Sequence, residues 1–158
     1  MTVRARAGSP ARAGSRLADI GRRIAGLLRP SARAVRTIED SFIDLLGCTL
    51  SGNRQAEASA LHAVAGDLGG GPAPVIGTGM RLAAPQAAFV NATAAHLEEM
   101  DDWEEPGNTH PSAVIWPALW ALAAIRPVGG DRALCAYAAG FETIARLGEA
   151  VNFDHYNR

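Results

Sequence analysis

Ala83-Ala-Pro-Gln-Ala-Ala-Phe-Val-Asn-Ala-Thr-Ala-Ala-His96-Leu-Glu-Glu-Met-Asp-Asp-Trp-Glu-Glu-Pro-Gly-Asn-Thr-His110-Pro111-Ser-Ala-Val-Ile-Trp116-Pro-Ala-Leu-Trp120 is the stretch on which the fold turns. It reads as two helices with an acidic loop between them. The first, Ala83 to about Met100, is rich in small residues and can pack close to its neighbours, and Pro85 suits its first turn. The second opens with Pro111 at its first helical position. It carries Val114, Ile115, Leu119, Leu122 and Ile125, with Trp116 and Trp120 four apart. Pro117 falls within its first two turns and is expected to distort it. The intervening loop holds six of the sixteen acidic residues and two of the four histidines.

Toward the N-terminus the helical pattern continues. Ser31 can cap a helix whose stripe is Val35, Ile38, Phe42, Leu45, Leu46 and Leu50. Gly52 is placed for its C-cap. Gly47 sits inside it at a cost of about 1 kcal/mol relative to Ala, which a close helix crossing would explain. Before Pro30, Ser15 can cap a helix with Leu17, Ile20, Ile24, Leu27 and Leu28 on one face. After Gly52, a helix from about Gln55 to Leu68 shows Leu61, Val64 and Leu68. Gly69-Gly-Gly-Pro72 breaks it, and Pro74 to Gly79 can form one brief strand. The glycines there lack the fingerprint spacing of a phosphate loop and no Lys follows them.

Toward the C-terminus, Pro127-Val-Gly-Gly130 is a turn. Asp131 can cap a last helix, Arg132 to about Val151, with Leu134, Tyr137, Ala138, Phe141, Ile144 and Leu147 inward. The expectation is an all-α chain of six helices with at most one short strand, and no heptad seam or internal repeat. Residues 1–14 have no apolar periodicity and read as a disordered basic tail. Residues 15–158 then form one helical domain, and the polar and aromatic end from Asn152 lacks a stop signal, as in a truncated domain.

Composition narrows the function. With 158 residues, 48% of them apolar, and a net charge of -1, the chain can build a core but offers no electrostatic case for nucleic acid or membrane. All fifteen basic residues are Arg, which excludes a Schiff-base or P-loop lysine within the chain. Nine of those Arg lie in the first 36 residues. An acid-free start rich in Arg, Ala and Ser has the composition of a mitochondrial transit peptide; a basic tail or an early start codon is the plainer reading. Cys48 and Cys135 sit in apolar helical patterns, as buried thiols of a reducing cytoplasm do. No run approaches the roughly 18 apolar residues of a membrane span.

The chemistry concentrates in the loop. Read on one helix, His96 and Glu99 share a face, as do Glu98 and Asp102. Glu98, Glu99, Asp101 and Asp102 crowd a helix C-terminus, where the dipole disfavours negative charge. Stability does not explain that placement; a solvated acidic turn or a functional site does. His110 stands beside the positive end of the next helix, a position that favours neutral imidazole. Near carboxylates such a group suits proton transfer, and a plain helix-cap histidine is the alternative. Acids with two histidines also suit Mg²⁺, Mn²⁺ or Fe²⁺, but HExxH, ExxH and EF-hand spacings are missing, so no metal is expected.

Asp44-Leu-Leu-Gly-Cys-Thr-Leu-Ser-Gly52, Asn91-Ala-Thr-Ala-Ala-His96, Met100-Asp-Asp102, His110-Pro-Ser112 and Pro117-Ala-Leu-Trp-Ala-Leu occur in this order. In these motifs the chain resembles the N-terminal part of the MmgE/PrpD family, which contains 2-methylcitrate dehydratase and cis-aconitate decarboxylase. The resemblance covers residues 17–158. It implies a helical domain followed by a smaller α/β domain, usually in a homodimer. It implies removal of water or carbon dioxide from a small di- or tricarboxylate by acid/base chemistry, with no metal, iron–sulfur cluster or other cofactor.

By the same resemblance Glu99, Asp101, Asp102 and His110 line the substrate pocket, with His110, Asp101 and Asp102 catalytic. His96 matches the family's histidine at the end of the preceding helix and is placed with Glu99 and Trp103 at the substrate. Two positions depart from the pattern. Glu99 stands where the family usually has Asp, and Trp103 where it usually has Thr. The family's downstream histidine, lysines and tyrosine have no counterpart here, so this short chain alone is expected to be inactive. The alternative is a non-catalytic helical module or subunit that docks onto a partner carrying the missing half.

Overall fold

The structure is a computed structural model that describes residues 16–26 and 29–151. The expected tail, the Leu27 and Leu28 positions and the end from residue 152 lie outside the described residues. Those residues form six helices and one two-stranded antiparallel sheet: α1 (Arg16–Ala25), α2 (Ala32–Gly52), α3 (Ala58–Asp67), β1 (Gly70–Pro74), β2 (Arg81–Leu82), α4 (Ala84–His96), α5 (Pro111–Ala123) and α6 (Gly130–Val151). The class is the predominantly helical one the sequence implies. Among the described residues no helix is long and apolar enough to cross a membrane.

The small residues of α4 explain its central place. Ala87, Val90, Asn91, Ala94 and Ala95 are all buried, and α4 packs against both α2 and α5. Gly52 is what lets α2 approach: a Cβ there would overlap the Ala94 carbonyl. It is therefore a crossing glycine rather than the expected C-cap, and Asn53 ends α2 in an ordinary right-handed conformation. Gly47, expected at the crossing, faces open space, where a Cβ meets nothing within 4 Å. Ser31 caps α2 as expected, accepting the Ala34 N–H at 3.2 Å.

Two apolar clusters flank α4. One joins Val90 and Ala87 to Ala65, Ala73, Val75, Leu82 and Ala121. The other joins Ala95 to Ile38, Leu45, Ala113, Trp116 and Tyr137. Trp116 stacks on Tyr137 with ring centroids 4.6 Å apart, and Phe42 leans on Trp116 at 4.7 Å. Leu45 is 1% exposed, so its side chain contributes roughly 1.5–3 kcal/mol by burial. Pro117 lies inside α5 without ending it.

Three details differ from the periodicity. On α3 the buried residues are Ala58 and Ala65, while Val64 and Leu68 are exposed. Leu147 on α6 is exposed as well. In the connector, the strand is Gly70–Pro74 and pairs with Arg81–Leu82, with an irregular register between Gly70 and Ala73. The expected strand positions after Pro74 instead form a tight turn, closed by Val75 N–H donating to the Met80 carbonyl at 3.0 Å. Buried Asn91 pins this turn to α4: its Oδ1 accepts the Ile76 N–H at 2.9 Å and its Nδ2 donates to the Pro74 carbonyl at 3.1 Å.

Candidate active site

Helix α4 stops at His96, four residues before the expected end, and Leu97 is its C-cap. The chain then turns at Glu99, which has a φ of 50°, a left-handed conformation uncommon outside glycine. Glu98 therefore does not continue a helical face toward Asp102. Its Oε1 accepts from Gln55 Nε2 at 2.6 Å, and its Oε2 is buried without a hydrogen-bond partner. The loop closes on itself further along. Glu104 and Thr109 pair through their backbones, and the Glu104 carboxylate accepts the Gly107 N–H at 2.9 Å and the Thr109 hydroxyl at 2.7 Å. Gly107 rests directly on Gly148 of α6, where a Cβ on either would overlap the other's surroundings. This closure carries the chain back so that His110 ends beside His96.

Three of the expected site residues come together. Asp101 has a fully buried side chain. Its Oδ1 lies 2.8 Å from His96 Nδ1, and its Oδ2 lies 3.3 Å from His110 Nδ1. The second contact is an ion-pair distance only: Asp101 Oδ2 and His110 Nδ1 are both buried and neither makes a hydrogen bond. The two imidazole centroids are 4.5 Å apart. Both rings border an open groove of about 640 Å³ whose other walls include Phe89, Leu97, Val114 and Ile144. No Arg is among the residues that line it. The donor atoms of His96, Asp101 and His110 lie within 4.8 Å of one another, so the trio also has the ligand types for a divalent cation. Its spacing matches no metal motif, which is why the sequence did not show it.

The other three lie apart from this cluster. Asp102 faces the start of α5: it accepts the Ser112 N–H at 2.9 Å and the Ser112 hydroxyl at 2.6 Å. Ser112 Oγ is also 2.6 Å from the Tyr137 hydroxyl. Ser112 spends its single hydroxyl proton on the carboxylate, so Tyr137 is the donor to Ser112. Burial, partly offset by the Ser112 and Ser41 hydroxyls, pushes the Tyr137 phenol above its ordinary value. Asp102 and Tyr137 border a second cleft that shares no lining residue with the histidine groove. Glu99 is exposed and does not line the groove. Trp103 is 57% exposed, and its Nε1 donates to Asn108 Oδ1 within the loop at 2.9 Å. Cys48, on α2, is close enough to feel the negative charge of Asp101; burial first, then Asp44 and Asp101, raise its thiol. The sequence places Cys48 and Ser112 in the quoted motifs and Tyr137 on an inward face, but carries no signal that they neighbour this site.

A model of the MmgE/PrpD N-terminal domain matches residues 18–157. The chain belongs to the MmgE/PrpD family. It is similar to the cis-aconitate decarboxylase-like protein oryM of Aspergillus oryzae, 28% identical over 135 residues, which is 78% of this chain and 28% of that protein. It is also similar to human cis-aconitate decarboxylase, 40% identical over 72 residues, 43% of this chain and 15% of that enzyme. The matched part thus spans only 28% and 15% of the length of these two curated relatives. The site described above lies wholly within the part that the MmgE/PrpD domain covers.

Proposed function

We propose that this MmgE/PrpD chain supplies the proton-transfer part of a lyase centre that removes water or carbon dioxide from a small di- or tricarboxylate. The observation that carries the reading is His110, held at the entry of α5 with Nδ1 toward a fully buried Asp101 and bordering an open groove. An imidazole so oriented can take or give a proton at its free nitrogen, a contribution worth typically 10²–10⁴-fold in rate. Asp101 orients His110, and Asp102 holds the start of the helix from which His110 projects. Glu99 and Trp103 reach substrate only if the loop is rearranged when the site is complete. No metal or cofactor is part of the reading.

A polycarboxylate needs cations to hold it, and no Arg lines the groove. Phe89 and Val114 on its rim are 64% and 57% exposed. Both facts support a further surface over the groove, from a second copy of the chain or from a polypeptide that supplies the remaining wall. They equally favour the alternative of a helical module whose work is docking, with no turnover of its own. The two free thiols fit a cytoplasmic location.

The test is turnover by the protein isolated from its own cells, offered cis-aconitate, 2-methylcitrate and related acids, with carbon dioxide release and water loss scored separately. Turnover of one of them supports the lyase reading. Failure with all of them, by a protein that runs as a stable complex, supports the docking module instead.

A further inference from the structure

The lyase reading uses one histidine, yet two point their Nδ1 atoms at the same carboxylate. A carboxylate can only accept hydrogen bonds. Asp101 is fully buried, with Oδ1 at 2.8 Å from His96 Nδ1 and Oδ2 at 3.3 Å from His110 Nδ1. A proton on His96 Nδ1 satisfies Oδ1. Asp101 Oδ2 and His110 Nδ1, both buried, sit at an ion-pair distance without a formed hydrogen bond, and a proton on that Nδ1 is the donor nearest to Oδ2. The side chains of His96 and His110 are still 45% and 35% exposed. Both rings line the groove, and Nε2 is the ring nitrogen that Asp101 leaves free.

Resting on the lyase reading, we propose that Asp101 is a positioning residue that fixes both imidazoles in the Nδ1–H tautomer, and that His96 is thereby a second proton-transfer group beside His110. Two ring nitrogens then face one groove across rings 4.5 Å apart. Dehydration can use such a pair. One neutral Nε2 takes the proton from carbon, the carbon–carbon double bond forms, and the carbon–oxygen bond breaks. The other ring, carrying an extra proton, gives it to the departing hydroxyl, which leaves as water. The proton count of the pair is unchanged over the cycle, and the single negative charge of Asp101 matches the single imidazolium.

Protons suit this geometry better than a metal ion does. Two ligands bound at about 2.0–2.2 Å to a tetrahedral ion stand about 3.4 Å apart. The His110 Nδ1–Asp101 Oδ2 pair at 3.3 Å fits either occupant, and the His96 Nδ1–Asp101 Oδ1 pair at 2.8 Å, a hydrogen-bond distance, decides for a proton.

Nitrogen NMR of the intact protein labelled at histidine, at about pH 8 where unperturbed imidazole is neutral, reads the tautomers without any substrate. Both rings should show a protonated Nδ1 and a bare Nε2. An amide at position 101 offers one acceptor and one donor, so Asp101→Asn should turn one of the two rings to the Nε2–H form. If that variant fails to fold, the wild-type spectrum decides alone. An Nε2–H ring in the wild type, an Asp101→Asn spectrum with both tautomers unchanged, or stoichiometric capture of added zinc through both Nδ1 atoms would overturn the proposal. On whichever substrate is turned over, His96→Gln should lose at least about 100-fold in kcat while His110 keeps its tautomer; full activity would overturn the role of His96. Because the tautomers are read without turnover, failure of the lyase reading and failure of this proposal are separate results.

Discussion

Replacing Asp102 separates a residue that builds the site from one that does its chemistry. The Asp102 carboxylate accepts a backbone N–H and a hydroxyl from Ser112, at 2.9 and 2.6 Å, and the hydroxyl is in turn held by Tyr137. Asp102→Ala removes two charge-assisted hydrogen bonds and leaves the buried Ser112 donors unpaired. Hydrogen bonds to a charged partner are worth roughly 1.5–3 kcal/mol, and an unsatisfied buried donor costs a similar amount. Part of the loss is recovered by water because Asp102 is only half-buried. The net expectation is about 3 kcal/mol, or roughly 10 °C in Tm for a domain of this size. Asp102→Asn keeps an acceptor for the Ser112 N–H and turns its NH₂ toward Ser112 Oγ, which can accept it. That variant should lose only about 1 kcal/mol. Urea unfolding followed by circular dichroism reads both, with an unchanged m-value as the check that only stability moved. Asp102→Ala within about 0.5 kcal/mol of wild type, or Asp102→Asn as damaging as Asp102→Ala, would refute the capping role.

Gly52→Ala should destabilise by about 1–3 kcal/mol, because its Cβ would overlap the Ala94 carbonyl on α4; the same melt should show Gly47→Ala neutral or stabilised by up to about 1 kcal/mol, since that Cβ meets open space. Asn91→Ala leaves the Ile76 N–H and Pro74 carbonyl without partners and should cost about 2–4 kcal/mol, with hydrogen exchange of the Ile76 amide accelerated first. The Tyr137 phenol is raised in the folded state, so folded Tyr137 keeps its proton where unfolded Tyr137 has begun to lose it. Its contribution is therefore intact below about pH 10 and declines as pH rises beyond that point; Tyr137→Phe should flatten this alkaline limb of the melting curve.

The helical class was legible because its signals are local. Ser31 caps where a hydroxyl before an apolar stripe should, and Pro111 opens α5 where a proline at the first position should. The two glycines of α2 changed roles because sequence does not reveal which neighbour approaches. Gly52, at a helix end, looks like a cap, and only the Ala94 carbonyl on another helix explains it. The end of α4 is hidden in the sequence for a related reason. No glycine marks the exit, and the left-handed turn falls on Glu99, a residue with no special preference for it. On α3 the apolar stripe pointed to Leu61, Val64 and Leu68; Leu61 packs half-buried against the core, but the fully buried positions are Ala58 and Ala65, and Val64 and Leu68 are exposed. In the site, the residues were legible and their grouping was not. His96, Asp101 and His110 are five and nine residues apart and meet only because the Glu104–Thr109 pairing folds the loop back. Asp101 and Asp102 look equivalent in sequence, yet one faces two imidazoles and the other a helix end.

The most direct test of the central claim is the turnover of cis-aconitate and 2-methylcitrate by the protein from its own cells, in wild type and in His110→Ala, with helicity checked by circular dichroism. The account predicts turnover by the wild type and a loss of at least about 100-fold in the variant, with the helical spectrum unchanged. An equally active, equally helical His110→Ala protein would contradict it.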